Sequence, residues 1–328
     1  MKTKEELRIK KEEGGEGDAK TSSSNPKSQI RNPKSSRGAA LMLALWALFL
    51  LSALIISWAL DIDSRLRLSG SANRYLEAEA LACSGAEVAL HPAIKTDSPN
   101  LRHQVPRGSY EVRITGEGGR LNLNWILAGE DPDRLEILRK YLETKNIDLN
   151  ERDRMIDCLL DWVDPDDLVR LNGAEKGDNY QPMNTLLTRI EELKRVRGWE
   201  QFTSTPGWDN DFTLNSVGPV DTTWASREVL LALPGMTEST VDRFLQMRRG
   251  PDGVDGTADD MQFKSQDEVR AAFGFSQQQY EQIAGLIILK DPSFRIVSVG
   301  KAGEATRIVQ MIVRKQGPIP QLVSWKEF

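Results

Sequence analysis

Cysteine and histidine are nearly missing from the 328 residues: only Cys83, Cys158, His91 and His103 are present. A disulfide scaffold and a Cys- or His-built zinc site are thereby excluded. A hydrolase triad would have to use one of two imidazoles. A basic surplus is missing too. The net charge of −5 and pI near 5.4 argue against a chain built to coat nucleic acid, because phosphate binding needs excess cations. Gly116 to Gly119 falls between two alternating runs and opens no helix, so a nucleotide loop fails as well. Enzymatic chemistry is not expected. What is present is enough to build with: 39 % hydrophobic residues in a length that suggests about two units.

Charge vanishes altogether between Ala39 and Leu60, AALMLALWALFLLSALIISWAL. As a helix these residues reach about 33 Å, close to a ~30 Å hydrocarbon core. Lys20, Lys27, Arg31, Lys34 and Arg37 precede the run without one acid between Lys20 and Gly38, and Asp61 and Asp63 follow it. That asymmetry keeps the N-terminus cytoplasmic and exports the bulk of the chain. A cleaved secretory signal ending at Ser57-Trp58-Ala59 is disfavoured, since its apolar core would normally have only ~7–15 residues. An uncleaved signal anchor is the second reading. The favoured one is a prepilin-type signal, in which a peptidase cuts between Gly38 and Ala39 on the cytoplasmic side. Met1 to Lys20, mixed in charge, is expected to be disordered.

The helix should continue beyond the apolar run, because Asp61 to Leu90 contains no proline. Ala72, Leu76, Ala80, Cys83, Ala86 and Leu90 recur at three- and four-residue spacing and predict one buried stripe, with His91-Pro92 as the break. Such a stripe needs a partner, expected to be a sheet of the same chain. Ser109–Thr115, Phe294–Val299, Thr306–Val313 and Leu322–Trp325 alternate as strands should, and Arg120–Asn124 continues the first alternation after a turn at 116–119. Between them, from about Glu130 to Lys290, the chain reads as almost entirely helical. The fold class is therefore α+β, with an all-α domain inserted into a strand-and-helix frame.

Two acidic stretches invite a cation. Pro251 to Asp260, PDGVDGTADD, places Asp252, Asp255, Asp259 and Asp260, with Thr257, around two glycines. Those carboxylates repel unless hydrated or bridged by a hard ion such as Ca²⁺, so a metal loop and a solvated loop both stand. It is no EF-hand, since the twelfth position is Phe263. The second stretch, Asp157, Asp161, Asp164, Asp166 and Asp167, reads as helix capping and solvation ahead of a second ion. Leu230 to Gly250, LLALPGMTESTVDRFLQMRRG, resembles a helix-hairpin-helix, with Arg243, Arg248 and Arg249 as its local cations. Its Glu238 and the acidic chain favour a packing scaffold over DNA binding.

Set in order, these pieces carry a family resemblance. Arg37-Gly38-Ala39 before the apolar helix is followed by GRLNLNW from Gly119, LLDWVDPDD from Leu159 and GAEKGDNY from Gly173. EELKRVRGW from Glu191, VLLALPG from Val229, and the closing FRIVSVG and SWKEF complete the series. The chain resembles the type II secretion system minor pseudopilins of the K class, also called general secretion pathway protein K. The resemblance implies a pilin-like membrane-spanning helix packed on a small antiparallel sheet, with a large helix-hairpin-helix or SAM-like insertion. It divides the chain into a removable leader (1–38), the membrane helix (39–60), helix continuation and first strands (61–128), the insertion (129–290) and the last strands (291–328). It implies a single-pass inner-membrane protein with a periplasmic C-terminal domain at the tip of the pseudopilus, assisting initiation and export. The implied partners are the I-, J- and H-type minor pseudopilins, prepilin peptidase and secreted cargo, with no nucleic acid. It also implies calcium, which favours Asp252, Asp255, Thr257, Asp259 and Asp260 as ligands. Most pilins carry Glu at mature position five; here that position is Leu43, an absence the K class shares. A tip subunit has no neighbour ahead whose terminal ammonium needs neutralising. A membrane-anchored DNA-binding protein and a generic anchored interaction protein are the alternatives.

Overall fold

The computed structural model describes residues 37–177, 179–317 and 319–328, with the side chain of Arg37 left aside. The leader up to residue 36, and the expectations placed on it, lie outside the described residues. Helix α1 runs Arg37–Leu90 and stops where His91-Pro92 disfavours further helix, as the sequence predicts. The chain divides into two compact units whose boundary falls inside α1, between Ser64 and Arg65. In the first unit the apolar side chains from Leu41 to Leu60 are exposed. Among the described residues, Gly38–Leu90 is the one helix long and apolar enough to cross a membrane.

In the second unit the rest of α1 packs on a sheet. After α1 come β1 (Arg102–Val105) and β2 (Gly108–Gly116). The chain returns only at β7 (Ser293–Ala302), β8 (Ala305–Arg314) and β9 (Gln321–Glu327). The sheet order is β1-β2-β7-β8-β9, antiparallel throughout, with Ile114 opposite Ile296 and Ile296 opposite Met311. Val112, Ile114, Ile296, Val309, Met311 and Val313 alternate onto the face that meets α1.

The stripe on α1 is not the expected one. Ala72, Leu76 and Ala80 are exposed, Cys83 and Leu90 are half-buried, and only Ala86 of the six is fully buried. The buried residues are Ala78, Ala82, Gly85, Ala86 and Ala89. Closeness is the reason. A Cβ on Gly300 of β7 would lie 2.0 Å from the Ala78 carbonyl oxygen and 2.5 Å from the Ala82 nitrogen. A Cβ on Gly85 would likewise meet Ser298 Oγ at 2.5 Å. The seam selects the smallest residues, whereas the sequence pattern treats small and larger apolar residues alike.

Between β2 and β7 lies the insertion, and it is less helical than expected. Its elements are β3 (Leu121–Asn122), α2 (Leu123–Leu127), α3 (Pro132–Thr144), α4 (Leu149–Val163), α5 (Glu200–Thr203), β4 (Phe212–Thr213), β5 (Val220–Asp221), α6 (Arg227–Leu231), α7 (Glu238–Arg248), α8 (Gln266–Phe273), α9 (Gln277–Glu281) and β6 (Ile287–Ile288). β3 pairs with β4, and β5 with β6, in short parallel bridges. Residues 164–177 and 179–189 are largely irregular, because Pro165, Gly173, Gly177 and Pro182 punctuate a run rich in Asp and Asn. The alternation expected over Arg120–Asn124 ends at Asn122, whose side chain instead accepts the Trp125 N–H and starts α2. The turn at 116–119 is a buried 3₁₀ turn over Glu117–Gly119. Asp131, Asp148, Ser226, Thr237, Ser265 and Ser276 start α3, α4, α6, α7, α8 and α9 with side-chain caps. One aromatic core fills the insertion, including Trp162, Trp199, Tyr141 and Phe212, with Phe244 stacked 4.3 Å from Phe273.

Candidate functional site

The favoured metal loop, Pro251 to Asp260, folds back on itself through its own hydrogen bonds. Asp252 Oδ1 accepts the Val254 N–H at 2.8 Å, and Asp259 Oδ2 accepts the Asp252 N–H at 3.1 Å. Thr257 Oγ1 donates to Asp259, and Asp260 accepts the Gly256 N–H. The Thr257 and backbone bonds hold the exposed Asp259 carboxyl below its ordinary range. Asp255 turns the other way: Arg248 donates to it at 2.8 and 3.0 Å and Arg249 at 3.0 Å. One of the expected ligands is thus committed to two guanidinium groups, and the remaining carboxylates are exposed or half-buried.

The structure gathers acids more tightly elsewhere. Asp161 sits in the last turn of α4, fully buried, and Asp164 caps the end of that helix. The chain then leaves, returns over Gly173, where a Cβ would be 1.9 Å from Asp161 Oδ2, and delivers Glu175. One oxygen from each of Asp161, Asp164 and Glu175 lies within 4.8 Å of the others. They collect at a helix C-terminus, whose carbonyls add negative potential. Arg170 answers this charge. Its guanidinium donates to Asp161 Oδ1 at 2.6 Å, to Asp164 Oδ2, and to Glu130 Oε1 at 2.6 Å. Burial opposes its charge, but the bonds to Asp164 and Asp161 outweigh that and raise it above the ordinary arginine value. Both oxygens of Glu175 and Oδ1 of Asp164 are closed off from solvent and meet no donor. Burial, then the charges of Asp161 and Asp164, push the Glu175 carboxyl up.

Donor set and orphaned oxygens fit a hard divalent ion, which wants several carboxylate oxygens in one place. Of the second acidic stretch, Asp161 and Asp164 contribute to this cluster, while Asp157 binds the Asn172 backbone and side chain and Asp166 the Leu168 N–H. Glu175 and Arg170 escaped the reading of the sequence. The signal was there in GAEKGDNY following LLDWVDPDD, but only the irregular path of the loop makes the pair converge. Cys158, one turn before Asp161, is a buried thiol pushed up to about 11 by burial.

The hairpin between α6 and α7 offers little to a phosphate. Arg248 is 3 % exposed and donates to the Thr222 and Ala225 carbonyls as well as Asp255. Arg249 shares Asp255, and Arg243 donates to the Phe273 carbonyl at 2.7 Å. All three local cations are engaged within the fold. Exposed apolar side chains instead mark α1, at Leu66, Leu68, Tyr75 and Leu76, and the edge strand β9, at Leu322, Val323 and Trp325. Gly38 and Ala39, where the sequence leads one to expect processing, are helical and exposed, and a Cβ on Gly38 would meet nothing within 4 Å.

Residues 119–205 match the family model for the Type II secretion system (T2SS), protein K. The fold is similar to a chain in the crystal structure of the GspK-GspI-GspJ complex from the enterotoxigenic Escherichia coli Type 2 Secretion System. Identity there is 15 % and the TM-score 0.56, over 80 % of this chain and 99 % of that one. No curated protein matches the chain. The K-class resemblance read from the sequence is borne out, and four of its motifs, GRLNLNW to EELKRVRGW, lie in the matched stretch.

Proposed function

We propose that the chain is a minor pseudopilin of the K class, seated at the tip of the periplasmic pseudopilus of a type II secretion system. The observation that carries this reading is α1, one 54-residue helix that begins as an exposed apolar rod and ends in an alanine seam under an antiparallel sheet. A rod of that kind is anchored in the inner membrane with its N-terminus cytoplasmic, after prepilin peptidase cuts between Gly38 and Ala39. Side chains left uncovered on α1, such as Leu66 and Leu76, pack against the helices of I-, J- and H-type pseudopilins. Leu43 at mature position five suits a subunit with no neighbour ahead. The hairpin of α6 and α7, the helix-hairpin-helix of the insertion, is scaffold.

Calcium is a structural ligand in this reading. Asp161, Asp164 and Glu175 would hold it, with Asp252, Thr257, Asp259 and Asp260 as a second, more exposed set. Bound there, the ion would supply positive charge to oxygens that have no donor; Asp161, fixed at the end of α4, orients the set.

Two measurements test the main reading. Gly38→Leu should leave a longer, membrane-inserted precursor, since the peptidase needs a residue without a side chain at the cut; normal maturation rules out prepilin-type processing. Co-expressed with its I- and J-type pseudopilins, the full chain should be recovered with both from detergent. A chain recovered alone at tens of micromolar of each contradicts tip assembly.

A further inference from the structure

A guanidinium stands where the metal reading requires a metal. Arg170 places one nitrogen on both Asp161 Oδ1 and Asp164 Oδ2, and the other on Glu130. An ion held by the same three carboxylates would sit beside this guanidinium, and two cations that close repel strongly. Yet Arg170 does not finish the task, for both oxygens of the half-buried Glu175 and one oxygen of Asp164 are closed off from solvent without a donor. A monovalent, one-sided cation is thus holding a set of acids that a divalent one would satisfy on every side.

We propose that Arg170 is the built-in counter-cation of the Asp161–Asp164–Glu175 cluster, and that a divalent ion binds there only by expelling its guanidinium. The inference rests on the metal part of the reading above. The loop is built for the exchange. Asp161 also accepts the Arg170 backbone N–H, at 3.3 Å, and Asn172 is tied to Asp157 through its backbone at 3.1 Å and its side chain at 3.0 Å. Those backbone ties survive when the side chain leaves. Leu168, Val169 and Leu171, 76 %, 61 % and 96 % exposed, flank Arg170 and are covered by nothing in the fold that would hold them in place. Without metal, the side chain of Arg170 pins this apolar segment; with metal, the pin is released while the far end stays fixed.

The test uses the full chain in detergent, stripped of divalent ions and titrated with Ca²⁺, with Tb³⁺ luminescence excited through tryptophan as the binding signal. A competitor that occupies the site most of the time lowers apparent affinity by the fraction of empty sites. Arg170→Gln should therefore bind Ca²⁺ at least about tenfold more tightly than the wild type. Its melting temperature should fall without the ion, from unbalanced acids, and recover with it by more than the wild type gains. In the wild type, amide hydrogen exchange over residues 166–171 should speed up on adding Ca²⁺, the reverse of ordinary closure around an ion. Glu175→Gln should lose binding in both backgrounds, which separates this cluster from Asp252–Asp260. Equal or weaker binding in Arg170→Gln overturns the competition while leaving a metal site intact. A lower melting temperature in Arg170→Gln that Ca²⁺ does not restore, with no luminescence in any variant, removes the metal reading and this inference together; tip assembly stands or falls by its own test.

Discussion

Two glycines show how differently the two parts of residues 65–328 are closed. In the sheet frame, Gly300 faces helix backbone, with the Ala78 carbonyl oxygen 2.0 Å from where its Cβ would be. In the insertion, Gly173 faces a carboxylate, with Asp161 Oδ2 1.9 Å from the corresponding point. The frame is sealed by shape: alanine and glycine let a helix lie directly on strands, and neither side can give. The insertion has a large aromatic core, but its irregular segments are fastened by polar pins such as Asp161 to Arg170 and Arg248 to the Thr222 and Ala225 carbonyls. Steric seams tolerate no added atom, whereas polar pins respond to ions and pH.

The largest effect should come from adding atoms to the seam. Overpacking usually costs about 1–3 kcal/mol, and more where backbone would have to move. Gly300→Val should therefore cost more than about 3 kcal/mol in thermal or denaturant unfolding of the full chain. Gly173→Ala, pressing on a side-chain end, should cost less, about 1–3 kcal/mol. Near-ultraviolet circular dichroism from the buried Trp162 and Trp199 reports on the insertion separately. Gly300→Val should spare that signal at temperatures where the frame is already lost. Joint loss would show that the two regions melt as one, and equal costs for the two glycines would erase the distinction.

Removing a pin comes next. Arg248 is buried and donates to Thr222 O at 3.0 Å and Ala225 O at 2.8 Å. Arg248→Met keeps the bulk and orphans both carbonyls, at about 1–3 kcal/mol for each buried group left unpaired. The expected loss is about 2–6 kcal/mol, and little of it is ionic, because Asp255 is 35 % exposed and solvent screens that pair. Asp255→Asn alone should cost under about 1 kcal/mol. Should the acid prove the costlier deletion, the pin is electrostatic, and the insertion is held by something other than satisfied carbonyls.

The same contrast governs what the sequence disclosed. β7, β8 and β9 were readable because alternation is local and a sheet answers to it. The stripe differs because periodicity favours Leu76, while Gly300 on β7 and Gly85 on α1 bring helix and strands too close for anything larger than alanine beside them. The acidic loop was read by counting charges from Pro251 onward, yet the cations that claim Asp255 stand just before it, in Arg248 and Arg249 at the end of α7. Glu175 went unnoticed for a related reason. It reaches Asp161 only because Gly173 lets the returning loop lie against that carboxylate, a path no propensity encodes.

The smallest effect concerns pH. Asp221 is 1 % exposed and accepts the Thr223 N–H at 2.9 Å and the Asp291 N–H at 2.9 Å. Burial outweighs those bonds, and with the nearby charge of Asp291 it lifts the Asp221 carboxyl above its ordinary 3.8. A carboxyl raised in the folded state binds its proton more readily there than in the unfolded chain. Its contribution to stability is therefore fully present below pH 3.8 and is lost as pH rises through the higher folded value. Asp221→Asn abolishes that titration while losing a hydrogen-bond acceptor equally at every pH. The variant's deficit relative to the wild type should accordingly shrink between pH 4 and pH 7, in paired denaturant unfolding curves that cancel the other carboxylates. In the frame, the matching control is Ser298→Ala, a neutral buried position on the seam, whose deficit should not change with pH. A deficit for Asp221→Asn that grows toward neutral pH would mean the carboxylate is stabilised where it sits, and that this pin holds best when charged.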